Sequence, residues 1–168
     1  MRTKLIGLDI GSSTVKLAAW RGGAFRLASE RLPDNLVKNG AVVSPELLSR
    51  FLREMRKKHR IAGRQCAVIL PEYAVFFRRM SMPATSAEQL VLNLPYEFRD
   101  YTGVESAKYT YDYAVEHTIT DENGKPVSVE IVTAAAQKDV VRQYADLMRR
   151  SGLRLTVALP REMAIINL

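Results

Sequence analysis

Three short apolar stretches open the chain, over residues 4–10, 14–20 and 24–32, divided by a Gly-Ser-Ser turn and by Gly22-Gly23. Runs of this length bounded by glycine read as strands, and paired glycines suit a tight hairpin. The pattern predicts an antiparallel meander. Residues 36–43 read as a loop or a short edge segment. Ser44 then stands as a helix cap, with Pro45 at the first helical position and Glu46 in the first turn. That helix is predicted to run to Arg60 and to stop at Gly63. Residues 67–70 read as a short buried strand ended by Pro71.

A second unit follows, with a strand over residues 74–82 closed by Pro83. Ser86 caps a helix over residues 87–99, with Gln89 as its capping-box partner and Pro95 as an expected kink. Arg78 and Arg79 read as the solvated face of a strand. Residues 107–118 and 127–136 form a predicted hairpin about Asn123-Gly124. A helix over residues 139–151 carries Val140, Val141, Tyr144, Leu147 and Met148 on its apolar side, and Gly152 stops it. Residues 153–159 read as a further strand. Pro160 opens a helix over residues 161–168 whose pattern is expected to continue in a longer protein.

The apolar fraction of 47% predicts a packed core, and no stretch approaches the roughly 20 uninterrupted apolar residues of a membrane-spanning helix. Asp9 interrupts the first apolar run and spoils it as a signal-peptide core, so the chain reads as soluble and unexported. The single cysteine, Cys66, opens a strand-like run and reads as a buried structural thiol. His59 and His117 belong to no triad pattern, and no cysteine–histidine spacing suits a metal.

The net charge of +7 is concentrated in Arg50, Arg53, Arg56, Lys57, Lys58, His59 and Arg60. These residues interleave with Leu47, Leu48, Phe51, Leu52 and Met55 at helical spacing. A solvated helix face accounts for them, and attraction to an anionic membrane surface or an acidic partner is the functional alternative. No recognition motif or aromatic platform accompanies the charge, so no nucleic acid is expected as a partner.

The segment most informative about chemistry is Gly7-Leu8-Asp9-Ile10-Gly11-Ser12-Ser13-Thr14-Val15-Lys16-Leu17. It sets an acid at a strand end, then a glycine turn, then two small hydroxyl residues and a second strand. Such a turn can aim backbone N–H groups at an anion. Gly11 permits close approach, while Ser12 and Ser13 add donors without bulk. Asp9 suits a magnesium ion held through water, and Lys16 can offset phosphate charge or point into solvent. A bare hairpin between two core strands has the same appearance. Neither a P-loop nor a dinucleotide fingerprint is present.

This segment resembles the first phosphate motif of the superfamily of actin, sugar kinases and heat-shock chaperones. Within it the chain is similar to the PilM type, the actin-like proteins of type IV pilus assembly. Asn39-Gly40 with Val42-Val43, Val68-Ile69-Leu70-Pro71 with the strand ending at Pro83, Ala134-Ala135-Ala136-Gln137-Lys138-Asp139-Val140-Val141, and Ser151-Gly152-Leu153 extend the likeness in order. The resemblance implies an α/β fold with a ribonuclease-H-like, actin-type core over residues 1–71 and 153–168. A small β-α-β-β-α subdomain would be inserted over residues 72–152.

The resemblance also implies a scaffold at the cytoplasmic face of the inner membrane, holding the N-terminal cytoplasmic peptide of a PilN-like membrane protein. Leu70, Pro71 and Tyr73 would line the groove for that peptide. ATP and Mg2+ are the implied cofactors of a longer form, with Asp9, Gly11, Ser12, Ser13 and Lys16 on this side of the phosphates. Asp9-Ile10-Gly11 is the sole Asp-x-Gly, so a second actin-like half and its adenosine pocket are absent. Phosphoryl transfer needs groups on both sides of the phosphates. The expectation is therefore half a nucleotide site, no cofactor held tightly by this chain, and no ATP hydrolysis. The alternatives are an FtsA-like cell-division actin homologue, or an ATPase or kinase of the same superfamily lacking its second half.

Overall fold

The structure is a computed structural model that describes residues 5–21 and 23–166, and the chain forms two compact units. One unit is Met1–Tyr73 with Val141–Leu168, and the other is Ala74–Val140. The first opens with the predicted meander, β1 (Leu5–Ile10), β2 (Thr14–Arg21) and β3 (Ala24–Arg31). Lys4 and Gly22, assigned from sequence to the first strand and the second turn, lie outside the described residues. Residues 36–43 pair with themselves as β4 (Val37–Lys38) and β5 (Ala41–Val42). Asn39 and Gly40 both turn left-handed, at φ +51° and +79°. That pair of conformations is what a two-residue hairpin turn requires.

Helix α1 (Pro45–Lys58) buries Leu48, Leu52 and Met55 on one face. Its start lies where sequence placed it, and its end needs correction. Ser44 occupies the cap position, yet its hydroxyl makes no cap bond. Gly63 does not stop the helix. Arg60 takes the left-handed turn at φ +52°, and the Ile61 N–H donates back to the Arg56 carbonyl at 2.9 Å. This is a Schellman closure, with arginine where glycine is usual. β6 (Gln65–Ile69) then pairs in parallel with β1.

The second unit begins with β7 (Val75–Pro83). Helix α2 (Ala87–Glu97) is capped by the Ser86 hydroxyl, which accepts from the Gln89 N–H at 3.3 Å. The Gln89 side chain does not complete a capping box but accepts a hydrogen bond from the Thr85 hydroxyl. Pro95 does not break the helix. It sits within the last turn, where it removes one N–H, and the Phe98 N–H still reaches the Leu94 carbonyl at 3.1 Å. A single turn, α3 (Arg99–Thr102), follows, and then the hairpin of β8 (Tyr109–Thr120) and β9 (Pro126–Gln137).

The strand order in this unit is β7-β9-β8. Met82, Leu90, Leu94, Val129 and Ile131 form its core between sheet and helix. Arg78 keeps part of its surface in solvent, as sequence suggested, and also makes local contacts. It donates to the Glu97 carbonyl at 2.9 Å and lies 5.1 Å over the Tyr101 ring, which ties the end of α2 to the sheet. Arg79 is exposed and pairs with Glu116 at 3.0 Å.

Helix α4 (Lys138–Arg150) differs in affiliation from the sequence reading, which placed it in the insert over residues 72–152. From Val141 onward it belongs to the first unit. The physical tie is to α1: Arg56 donates to the Ser151 carbonyl at 3.0 Å, and Arg150 lies 3.6 Å from Glu46. β10 (Arg154–Leu159) and α5 (Arg161–Ile166) complete the unit, and Asn167 and Leu168 lie outside the described residues. The five-stranded sheet runs β10-β6-β1-β2-β3, with β10, β6 and β1 parallel.

One face of that sheet buries Ile6, Leu8, Val15, Leu17, Cys66 and Val68, and Leu5, Trp20, Phe25 and Leu27 on the other remain exposed. Burial pushes the Cys66 thiol up to about 11, in keeping with a structural side chain. Among the described residues no helix is long and apolar enough to cross a membrane.

Candidate functional site

β1 and β6 run parallel and end together, at Ile10 and Ile69, so both chains leave the sheet at one edge. A cavity of about 560 Å³ lies there. Asp9, Ile10, Gly11 and Ser12 form one wall, the Asn39-Gly40 turn another, and residues 69–73 a third, with Arg161 at the margin. Residues assigned from sequence to a phosphate loop and to a peptide groove are therefore brought to one cavity.

Each wall has a local cause. The Gly11 N–H donates to the Thr14 carbonyl at 2.9 Å and closes the β1–β2 turn. A β-carbon at Gly11 would lie 3.1 Å from that same carbonyl oxygen, so a side chain there would have to push it aside by a few tenths of an ångström. Gly40 is confined from outside as well. A β-carbon there would meet Pro71 Cβ and the Tyr73 ring, each at 3.4 Å. The Asn39-Gly40 hairpin thus braces Pro71 and Tyr73 by close backbone approach. Tyr73 is half exposed, whereas Leu70 is buried. Of the proposed groove residues, Pro71 and Tyr73 present surface and Leu70 packs.

Asp9 faces Lys16 across the β1–β2 pair, 3.8 Å away, and both are accessible to solvent. Such a pair contributes under about 1 kcal/mol. Lys16 and Ser13 do not line the cavity. Ser13 is exposed, and its carbonyl accepts from the Leu32 N–H at 2.8 Å.

Tyr144 of α4, which sequence placed on an apolar helix face, is buried. It is 2% exposed, and its hydroxyl has no hydrogen-bond partner among the described residues. Burial pushes its ionisation up to about 12, and the charges of Tyr73 and Asp9 push the same way. Glu72, Arg161 and Asn39 are further lining residues that sequence reasoning missed. The Asn-Gly turn was a usable signal for Asn39, and none marked the other two.

The residues present fit one side of a magnesium–phosphate group. Asp9 can hold the ion through water, and the Gly11-Ser12 turn can face phosphate oxygen. Among the described residues no three metal-binding side chains gather, so an ion here would keep most of its water. The arrangement can bind and orient a ligand.

Comparison with known proteins decides the family. The model of type IV pilus assembly protein PilM matches residues 7–159, from within β1 to the end of β10. The chain belongs to the PilM family. A solved PilM–PilN type IV pilus biogenesis complex superimposes with a TM-score of 0.83 at 24% identity, covering 99% of this chain and 50% of that one. The cytoplasmic domain of EpsL, an inner-membrane component of the type II secretion system of Vibrio cholerae, gives 0.61 at 12% identity, with 94% and 57% covered. The fold is thus the actin-like α/β fold of PilM, and the chain spans about half the length of the solved structures it matches. Comparison with curated proteins gives no match.

Proposed function

We propose that this chain serves as part of a cytoplasmic PilM-type scaffold at the inner-membrane platform of the type IV pilus, where it holds the N-terminal tail of a PilN-like membrane protein. The observation that carries the reading is the braced wall of Pro71 and Tyr73 beside two glycine turns, within a chain of the PilM family. An extended tail can set apolar side chains against such a wall while its main chain bonds to neighbouring loops. The test is a calorimetric titration with the cytoplasmic tail of the PilN-like partner. Saturable binding that weakens about tenfold or more in Tyr73→Asp supports the reading, since one lost apolar anchor is worth that much. A folded chain that binds no tail refutes it.

Asp9, Gly11 and Ser12 favour a second role, as one side of a nucleotide site that a longer form completes. Mg2+ would supply charge neutralisation between phosphates and Asp9. For this chain alone the expected result is no magnesium-dependent phosphate release. Turnover that disappears in Asp9→Ala would overturn that expectation.

A further inference from the structure

A helix whose outer side stays in water carries charge there, and two helices of this chain do. α1 turns Arg50, Arg53, Glu54 and Lys57 outward, and α4 turns Asp146 and Arg149. α2 departs from that pattern. Glu88 and Glu97 are its only charged residues, and it buries Leu90 and Leu94. On its outer side Leu92 and Tyr96 are 68% and 75% exposed, and Val91 is half exposed. Glu88, Leu92 and Tyr96 recur every four residues and so share one stripe. Beside Leu92, a groove of about 350 Å³ runs to Met82 and Pro83 at the end of β7. A helix that is apolar on both sides marks an interface.

Charge decides what covers it. The unit Ala74–Val140 holds ten acidic and six basic residues, a net charge of −4, and the other unit holds eight and nineteen, a net of +11. A second copy of this chain therefore offers the α2 face a unit of opposite charge, whereas two α2 faces would repel. Part of the basic charge is engaged within its own unit. Arg53 and Arg56 donate to carbonyls at the end of α4, where they line a cavity of about 560 Å³ with Lys57, Arg60, Ser151 and Gly152. Lys58 pairs with Glu30 at 2.9 Å. The start of α1 is open: Val43 and Leu47 are half exposed, and Arg50 is exposed one turn beyond Leu47.

We propose that α2 of one copy docks antiparallel on the start of α1 of a second copy. That approach sets Tyr96 against Val43, Leu92 against Leu47 and Glu88 beside Arg50. Glu54, one turn further along, then faces the N-terminus of α2, where an acid is favourable. The contact joins two different surfaces. Each copy keeps one free α2 or one free α1, so association continues past two copies unless the rotation closes a ring. It uses neither the Tyr73 wall nor the Asp9 turn, so it stands or falls independently of tail binding.

The experiment follows the mass of the intact chain by sedimentation over a range of concentrations, in low and in high salt. The wild-type chain should associate in low salt and weaken about tenfold or more in high salt, as screening removes the charge attraction. Glu88→Arg and Arg50→Glu should each weaken association about tenfold or more by setting like charges together. Combining them in one chain should restore it to within about threefold of wild type. Glu88 stands in the first turn of α2, so its reversal also weakens that helix. Restoration by Arg50→Glu is the readout that a folding defect cannot give. Leu92→Ser should lower association about tenfold, and Leu27→Ser, on the exposed face of the five-stranded sheet, should leave it unchanged. A chain that stays monomeric in low salt overturns the proposal, as does a double variant no better than the single ones. Loss in Leu27→Ser without loss in Leu92→Ser also overturns it, by assigning self-association to the sheet face.

Discussion

The two edges of the five-stranded sheet hold cavities of the same size, about 560 Å³ each, and of opposite character. At the strand C-termini the walls are two glycine turns, two carboxylates, one guanidinium and an apolar ledge. At the helix C-termini they are four cations and no acid. Cavity volume therefore says nothing about ligand class here, and the chain direction at each edge says a great deal. Strands that end together release tight turns whose backbone can approach a ligand. Helices that end together present carbonyls, which draw in basic side chains. The net charge of +7 is thus placed unevenly.

The largest effect that can separate the edges is backbone strain. Gly40→Val sets a branched side chain at φ +79° against Pro71 and Tyr73, and should destabilise the chain by about 2–3 kcal/mol in urea unfolding. The matching change at the other edge, Gly152→Ala, meets nothing nearer than Arg56 Nη1 at 3.9 Å and should cost only about 1 kcal/mol. Equal losses would remove the claim that the first edge is a braced wall.

Tyr144→Phe comes next. The hydroxyl is buried without a partner among the described residues, a state that costs about 1–3 kcal/mol, so its removal should raise stability by about 1 kcal/mol. A lower melting temperature would mean that an ordered water or ligand serves the hydroxyl in solution. Arg60→Gly should then add about 0.5–1 kcal/mol by relieving the left-handed arginine, offset in part by unfolded-state entropy. No gain would show that contacts of the Arg60 side chain already offset the strain.

The smallest effect concerns pH. Glu30 accepts from Lys58 at 2.9 Å and lies 2.6 Å from His59 Nε2. The Lys58 hydrogen bond is the chief cause holding its carboxyl below the ordinary value of 4.5, with burial opposing it and His59 assisting. A lowered folded value means that the stabilisation is complete above the unfolded value and is lost as pH falls through the folded one. Glu30→Gln should therefore flatten the acid limb of stability below about pH 4.5, by less than about 1 kcal/mol. An unchanged limb would show that the cluster contributes nothing.

Much of the first unit was legible because its signals are local. The strand periods of β1, β2, β6 and β10, the glycine punctuation and the apolar stripes of α1 and α4 each depend on a few adjacent residues. The order of the residues from Gly7 to Leu17 is local in the same way, and their resemblance pointed to the family that the comparison shows. The helix ends were misjudged where a long-range partner or an unusual conformation intervened. Arg60 closes α1 where Gly63 was expected, and Arg78 closes α2 from a different element.

Sequence by itself determined which segments are strands and helices, where the charge lies and which motif opens the chain, since these follow from neighbours along the backbone. Tertiary structure decided what those segments share. It joined Asp9 to Tyr73 in one cavity, removed Lys16 and Ser13 from it and moved most of α4 out of the insert. Those outcomes rest on which strand ends and helix ends come to lie side by side. Parallel pairing of β1, β6 and β10 fixes that across long chain separations, and no local pattern encodes it.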